Sequence, residues 1–296
     1  MSSQNNQSAP PAETLVHRNQ FVEFWNRFKV RKTSVFGMFL VIFLVIIVIF
    51  ADVLSPYDYT AQDLDNALAF PSAEHWFGTD EYGRDIYSRV LHGGRISLLV
   101  AVMGCIISLV VGGAIGAIAG YFSGKVDAII MRVVDVLMSI PNLLMAVMVS
   151  SLLGTGLIQT AIAVSIGGIA SSARMLRSSV LSIRQSEYIE AAKAYNCSNS
   201  RIILTHIVPN CLAPLIVEGT LKIGGNMLMI SSLSFIGLGV QVPYAEWGAM
   251  LNEGREYIRD FWPLITFPGI AIVLSMLGFN LFGDGLRDAL DPRLKD

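Results

Sequence analysis

VLMSIPNLLMAVMVSSLLGTGLIQTAIAVSIGGIASSA, residues 136–173, runs for 38 residues without a charged side chain. As one helix it would extend about 57 Å, nearly twice the hydrocarbon thickness of a bilayer. Gly154-Thr155-Gly156 is the natural break, because adjacent glycines punctuate a helical pattern. The run therefore predicts two bilayer crossings, at about 128–153 and 157–174. Arg132 and Asp135 sit near the start of the first, and a pair between them would satisfy both charges near the inner surface.

Outward from there the pattern repeats. Thr33 to Ala51 is 19 residues without a charge, about 28 Å as a helix, and predicts a first span at about 33–54. It begins too far from the start for an ordinary cleaved signal, and no A-x-A site follows it. Ile96 to Gly124 is charge-free for 29 residues and predicts a span at 96–121. Further spans are expected at 212–236 and 262–283, which makes about six in an all-α integral membrane chain. Composition agrees: 53% of residues are hydrophobic and 15% charged, against about 25% charged in a soluble domain. A net charge of −2 gives no reason to expect nucleic acid.

Residues 1–20 are polar, carry Pro10 and Pro11, and are not expected to hold fixed structure. Phe21, Phe24, Trp25 and Phe28 then alternate with Arg27, Lys29, Arg31 and Lys32, the pattern of a short amphipathic helix on a membrane surface. The chain thus divides into a tail with its helix, 1–32, and a membrane domain, 33–296. With the N-terminus placed in the cytoplasm, the inner segments hold 15 Lys and Arg and the outer ones 5. That excess predicts both termini inside.

The inner segment 174–208 is long for a connection and looks helical. Ser186 to Tyr195 contains good helix formers and no breaker. Ser198-Asn199-Ser200 can cap a second apolar-periodic run through Ile202, Ile203, Leu204 and Ile207, which Pro209 is expected to end. Two short helices outside the membrane result, in a loop at about 184–209. Paired Ala191 and Ala192 would let another backbone approach, with Glu187, Glu190 and Lys193 fixing its orientation.

Chemistry of other kinds lacks its residues. Gly124-Lys125 has Ala119 five residues earlier and Val126 after it, so the phosphate-cradling pattern of a Walker A loop fails. Neither HExxH nor GxSxG occurs. His17, His75, His92 and His206 are scattered, and Cys105, Cys197 and Cys211 lie far apart. No metal, cofactor or disulfide is expected, and the cysteines fit as small apolar fillers. Glu218 and Lys222 stand four residues apart inside the fifth span. They either line a path for solute or satisfy each other and a neighbouring helix. Gly112, Gly116 and Gly120 repeat on the second span and permit close helix contact, within the chain or with a partner. Arg84 and Asp85 either meet a docking protein or belong to a folded, solvated outer loop.

Glu190-Ala191-Ala192 followed by Ile207-Val208-Pro209-Asn210 resembles the EAA loop of bacterial ABC importer permeases. Gly78-Thr79-Asp80-Glu81-Tyr82-Gly83-Arg84-Asp85, Phe235-Ile236-Gly237-Leu238-Gly239, Glu246-Trp247-Gly248 and the end from Gly283 to Pro292 are similar to the dipeptide/oligopeptide (and nickel) branch, in its second permease subunit. The resemblance covers nearly the whole chain after residue 20. It implies the type I permease fold with cytoplasmic coupling helices, in a bacterial plasma membrane. It also implies a paralogous permease, two ATP-binding ATPase subunits and an extracytoplasmic substrate-binding protein as partners. Glu187, Glu190, Ala191, Ala192, Asn196 and Pro209 would then form the contact with an ATPase. The cargo would be di- or oligopeptides, glutathione among them, or alternatively a nickel chelate. The family usually has Gly where this chain has Asn196. A left-handed turn there is expected to survive, since Asn tolerates it. A secondary transporter should show inverted repeats, which are not evident, and an intramembrane enzyme would need a nucleophile or metal motif.

Overall fold

The computed structural model describes residues 20–290. The polar tail with Pro10, Pro11 and His17, and the last residues from Asp291 on, lie outside the described residues. Apart from the loops at 55–85 and 236–246, the described residues are almost all helical. Backbone groups in hydrocarbon must be satisfied within the segment, and an α-helix does that.

Helix α1 (Gln20–Phe28) leads into α2 (Lys32–Ile49) and a short turn, α3 (Ala51–Leu54). Phe36, Phe39, Phe43 and Ile46 leave α2 exposed on most of its surface, as befits a helix in lipid. Its one buried edge, Ser34, Gly37 and Leu40, lies on α13 (Pro263–Leu290). There a Cβ on Gly37 would stand 2.6 Å from Leu281 Cβ. Phe28 of α1 is buried edge-on against Phe282, 5.9 Å between ring centres, so the surface helix is moored to the end of α13.

The second span begins earlier than its charge-free run, because its charges are paired. Helix α4 (Ile86–Ile107) continues through a π-helical turn, Ser108–Gly112, into α5 (Gly113–Phe122). Asp85 caps α4, accepting from Ser88 N at 2.8 Å and Ser88 Oγ at 2.7 Å. Arg84 and Asp85 are therefore neither solvated nor free to meet a docking protein, because both are buried. Arg84 Nε donates to Asp80 at 2.6 Å. Arg89 donates to the same carboxylate and, at 2.7 Å, to Glu253 of α12 (Trp247–Gly254). This cluster ties the 55–85 loop to α4 and α12. Glu246 completes this end of the bundle: wholly buried, it caps α12 through Gly248 N and Ala249 N and accepts from Ser97 Oγ of α4.

Helix α6 (Gly124–Ser139) and α7 (Asn142–Leu153) stand where one span was expected at 128–153, and they are bent by 92°. The cause is Pro141: the residue before a proline is driven out of the helical region, and Ile140 sits at φ −91°, ψ 128°. The break at Gly154 and Gly156 falls where the glycines placed it, with φ of 83° and 141°. Helix α8 (Leu157–Ile183) then runs nine residues past the expected end, about 40 Å in all. Gly112, Gly116 and Gly120 pack on α8 within this chain. A Cβ at Gly112 or Gly116 would meet Ile169 O or Ala173 O at 2.4 and 2.3 Å.

Helix α9 (Glu187–Ala194) and α10 (Asn199–Arg201) follow, then a π-helical stretch, Ile202–Ile207, a 3-10 turn, Pro209–Cys211, and α11 (Leu212–Phe235). Helix α11 ends on Gly237, φ 82°, with Leu238 N bonded to Leu233 O at 2.9 Å. Among the described residues four stretches are long and apolar enough to cross a bilayer: α2, α4–α5, Asn199–Phe235 and α13. The bent α6–α7 pair makes a fifth if it counts as one span. Helix α8 has the length, but Gln159, Arg174 and its serines dilute its apolar content.

Asp80→Asn leaves the buried Arg84 and Arg89 to share the one carboxylate of Glu253. It should destabilise the fold by about 3 kcal/mol or more, read as a lowered unfolding midpoint of the purified protein in detergent. Glu74→Gln, on the exposed part of the same loop, should leave that midpoint unchanged.

Candidate coupling site

Ser186 turns the chain at the end of α8, its N–H bonded to Ile183 O at 3.0 Å. In the α9 that follows, Ile189 and Ala192 face inward. They join Ala117 and Tyr121 of α5, Leu176 and Val180 of α8, and Ile202, Ile207 and Cys211 beyond the turn in one apolar cluster. Glu187, Tyr188, Glu190, Ala191, Lys193 and Tyr195 form the exposed face. Of the paired alanines only Ala191 is open to another backbone; Ala192 belongs to the core. The two tyrosines were not singled out in the sequence. Their spacing to Ile189 and Ala192 is the signal that places them outward on a helix.

Asn196 has φ +56°, the left-handed conformation expected of it. Cys197 N bonds to Ala192 O at 3.1 Å and Asn196 N to Lys193 O at 2.9 Å. These are the two bonds of a Schellman cap. Ser198 Oγ then accepts from Arg201 N at 3.4 Å and starts the next helix. Tyr121 OH donates to Asn199 Oδ1 at 2.7 Å, which ties that start to α5.

Pro209 does not end this second helix, contrary to the pattern of the sequence. The helical path runs unbroken from Asn199 to Phe235. A proline inside an α-helix removes one N–H and crowds the preceding turn. Here the preceding turn is widened, with Val208 N bonded to Ile203 O five residues back at 2.9 Å, and Pro209 enters at the first position of a 3-10 turn. The helix that opens at Asn199 and α11 are thus one continuous helical path.

Glu218 and Lys222 form the expected pair, 3.0 Å apart. Lys222 Nζ also donates to Gly168 O at 2.7 Å, Ser171 Oγ at 3.1 Å and Ser172 Oγ at 2.6 Å. Ser172 Oγ donates in turn to Glu218 at 3.1 Å. The pair bonds within itself and to α8, while Glu218 Oε2 is buried without a hydrogen-bond partner. Asp135 pairs with Arg174 of α8 at 2.5 Å and not with Arg132, because α6 lies along α8 and presents its acidic residues to it. Asp127 makes the matching bond to Arg177, 2.5 and 2.6 Å. Cys105 and Cys211 are buried and Cys197 is half-buried, with free thiols.

A bundle of long apolar helices with a charged helix braced against it is the fold of a multi-pass membrane protein. The chain belongs to the family described as binding-protein-dependent transport system inner membrane component, whose model matches residues 112–296. A second model, the N-terminal TM domain of oligopeptide transport permease C, matches residues 19–71. The chain is 41% identical to the dipeptide transport system permease protein DppC of Alkalihalophilus pseudofirmus, over 97% of this chain and 95% of that one. It is 39% identical to the di/tripeptide transport system permease protein DppC of Pseudomonas aeruginosa, over 98% of each. It is 41% identical to the glutathione transport system permease protein GsiD of Pectobacterium atrosepticum, over 94% and 93%.

With φ +56° at residue 196, Asn196→Gly should keep transport and fold. Asn196→Val should lower both, since a β-branched residue is strained there. Normal transport and an unchanged unfolding midpoint in the Val variant would mean that the turn is not left-handed. Lys222→Met should lower unfolding midpoint and transport together. Unaltered substrate affinity and transport would remove the Glu218–Lys222 pair from the solute's path.

Proposed function

We propose that this chain is one of two membrane permeases in an ATP-driven importer of short peptides. Its partners would be a paralogous permease, two ATPase subunits and an extracytoplasmic binding protein. The observation that carries the reading is the exposed face of α9, Glu187, Tyr188, Glu190, Ala191, Lys193 and Tyr195, on a helix whose other face is locked into the bundle. A helix held this way passes a push on its outer face into α5, α8 and, through the rod from Asn199 to Phe235, α11. Glu187 and Glu190 would meet basic groups of the ATPase, and Ala191 would allow close approach. Ala192, Asn196 and Pro209 act one step behind, by fixing where α9 stands. ATP hydrolysis would belong to the partner subunits, and this chain would move with them.

The cargo follows from the relatives, whose names specify dipeptides, di- and tripeptides, and glutathione. A nickel chelate is the weaker reading, since none of these names carries it. The excess of Lys and Arg on the segments holding α1, α9 and the end of α13 supports both termini, and α9, in the cytoplasm. The aromatic surface of α2 would face lipid.

The test is co-purification in mild detergent from the native host, wild type against Glu190→Arg, with the bound chains identified by mass spectrometry. ATPase subunits should accompany the wild type, and their yield should fall at least tenfold with the variant. Wild type recovered without any ATPase under several gentle conditions would overturn the importer assignment in favour of a gradient-driven carrier.

A further inference from the structure

Helix α1 carries three stripes of side chains, and each meets a different surrounding. Phe24 and Phe28 stand four residues apart, 6.1 Å between ring centres. Phe28 is buried at the end of α13, edge-on to Phe282 and against Gly285, where a Cβ would stand 2.8 Å from its ring. Glu23 and Arg27, also four apart, pair with each other. Val22, Trp25 and Lys29 form the third stripe. Lys29 still follows the helical path, since its N–H bonds to Trp25 O at 3.1 Å. At about 100° per residue, the ion pair and the third stripe fall on opposite flanks of the two phenylalanines.

The third flank is apolar and uncovered by the chain. Val22 is 52% exposed, Trp25 is 39% exposed although its ring stacks on Phe28, and Val30 in the following turn is 78% exposed. The next helix shows what covers this flank. Only Lys29, Val30 and Arg31 separate α1 from α2, and the exposed Phe36 and Phe39 of α2 face lipid. Helix α1 therefore lies where α2 enters the bilayer. A helix at that level, apolar on one flank and ion-paired on the other, rests in the interface with its apolar flank in lipid.

The charges at the end of α1 select the lipid. Lys29, Arg31 and Lys32 are all exposed. Arg31 holds Asp288 at 2.6 Å, yet its side chain stays 63% exposed. Three cations thus stand beside one carboxylate. A lysine on an apolar flank lays its methylenes along that flank and lifts its ammonium to the headgroups. Clustered cations at that level favour lipids with a net negative charge over zwitterionic ones.

We propose that α1 docks on an anionic lipid surface, with Val22, Trp25 and Val30 among the upper acyl carbons and Lys29 and Lys32 on the phosphates of anionic lipids. Phe28 and Arg31 fasten α1 to the last turns of α13, so lipid bound there also steadies the end of α13. The proposal needs only a chain that spans a membrane and does not rest on the importer reading.

Two measurements test it on the complete chain, purified in mild detergent with the subunits that accompany it. In nanodiscs whose phosphatidylglycerol is brominated on the upper acyl chain, the emission lost on Trp25→Phe substitution isolates the signal of Trp25. That signal should be at least halved relative to unbrominated nanodiscs. An unquenched Trp25 would mean that water or a partner chain covers the flank and would overturn the proposal. Native mass spectrometry then reads lipid retention. Wild type should bind phosphatidylglycerol at a concentration about tenfold lower than phosphatidylcholine of the same chains. Lys29→Gln with Lys32→Gln should remove that preference, and Lys29→Arg with Lys32→Arg should keep it. No preference in wild type, a preference that survives the glutamine variant, or its loss in the arginine variant would each overturn the proposal.

Discussion

The contact on which the rest depends is the backbone-to-backbone seam of α5 on α8. Gly112, Gly116 and Gly120 bring α5 so close that any side chain there would strike Ile169 O, Ala173 O or Val180. In lipid there is no hydrophobic drive to press two helices together, so close packing of small residues does that work. The seam fixes α8 in position and roll. Its other edges then take up their tasks: the ion pairs to α6 and the hydrogen bonds from Lys222 and Glu218 of α11 along its length, and α9 hung from its end. The apolar cluster that braces α9 contains residues from both helices of the seam, so α9 is anchored to it.

The end of the bundle opposite α9 is held by a different force. Asp80, Arg84, Arg89 and Glu253 are charges removed from water, and their mutual pairing offsets the loss of hydration only because the geometry is closed. Glu246 does the same for the start of α12 with three donors of its own. The end that holds α9 is apolar and braced, and the opposite end ionic and braced.

Much of this was legible in the residues. Charge-free runs located α2, α4–α5, α11 and α13, because a bilayer forbids charges over a fixed length. Asn196 was legible as a left-handed cap, since its own backbone preference decides it. Other features depended on partners distant in sequence. That Arg84 and Asp85 are buried follows from Glu253 and His75 lying beside them. That Asp135 chooses Arg174 follows from how α6 lies on α8. The bend at Pro141 could have been read locally, since the residue before a proline resists helix, but the apolar run masked it. Pro209 misled in the opposite sense: a proline stops a helix only when the preceding turn cannot widen, and here it does.

That widening has a consequence for how faces are counted along the chain. A π turn holds one residue more than the α-helix around it, and one residue is about 100° of rotation. The stretches Ser108–Gly112 and Ile202–Ile207 therefore each reset the phase of their rods. At the start of the stretch Ile202 is timed to meet the cluster under α9; downstream, α11 is timed to aim Lys222 at α8. Both are correct only because a single surplus residue lies between them. Loss of one residue from Ile202–Ile207 would alter no side chain at either end, yet it would put one of the two faces out of step with its neighbour.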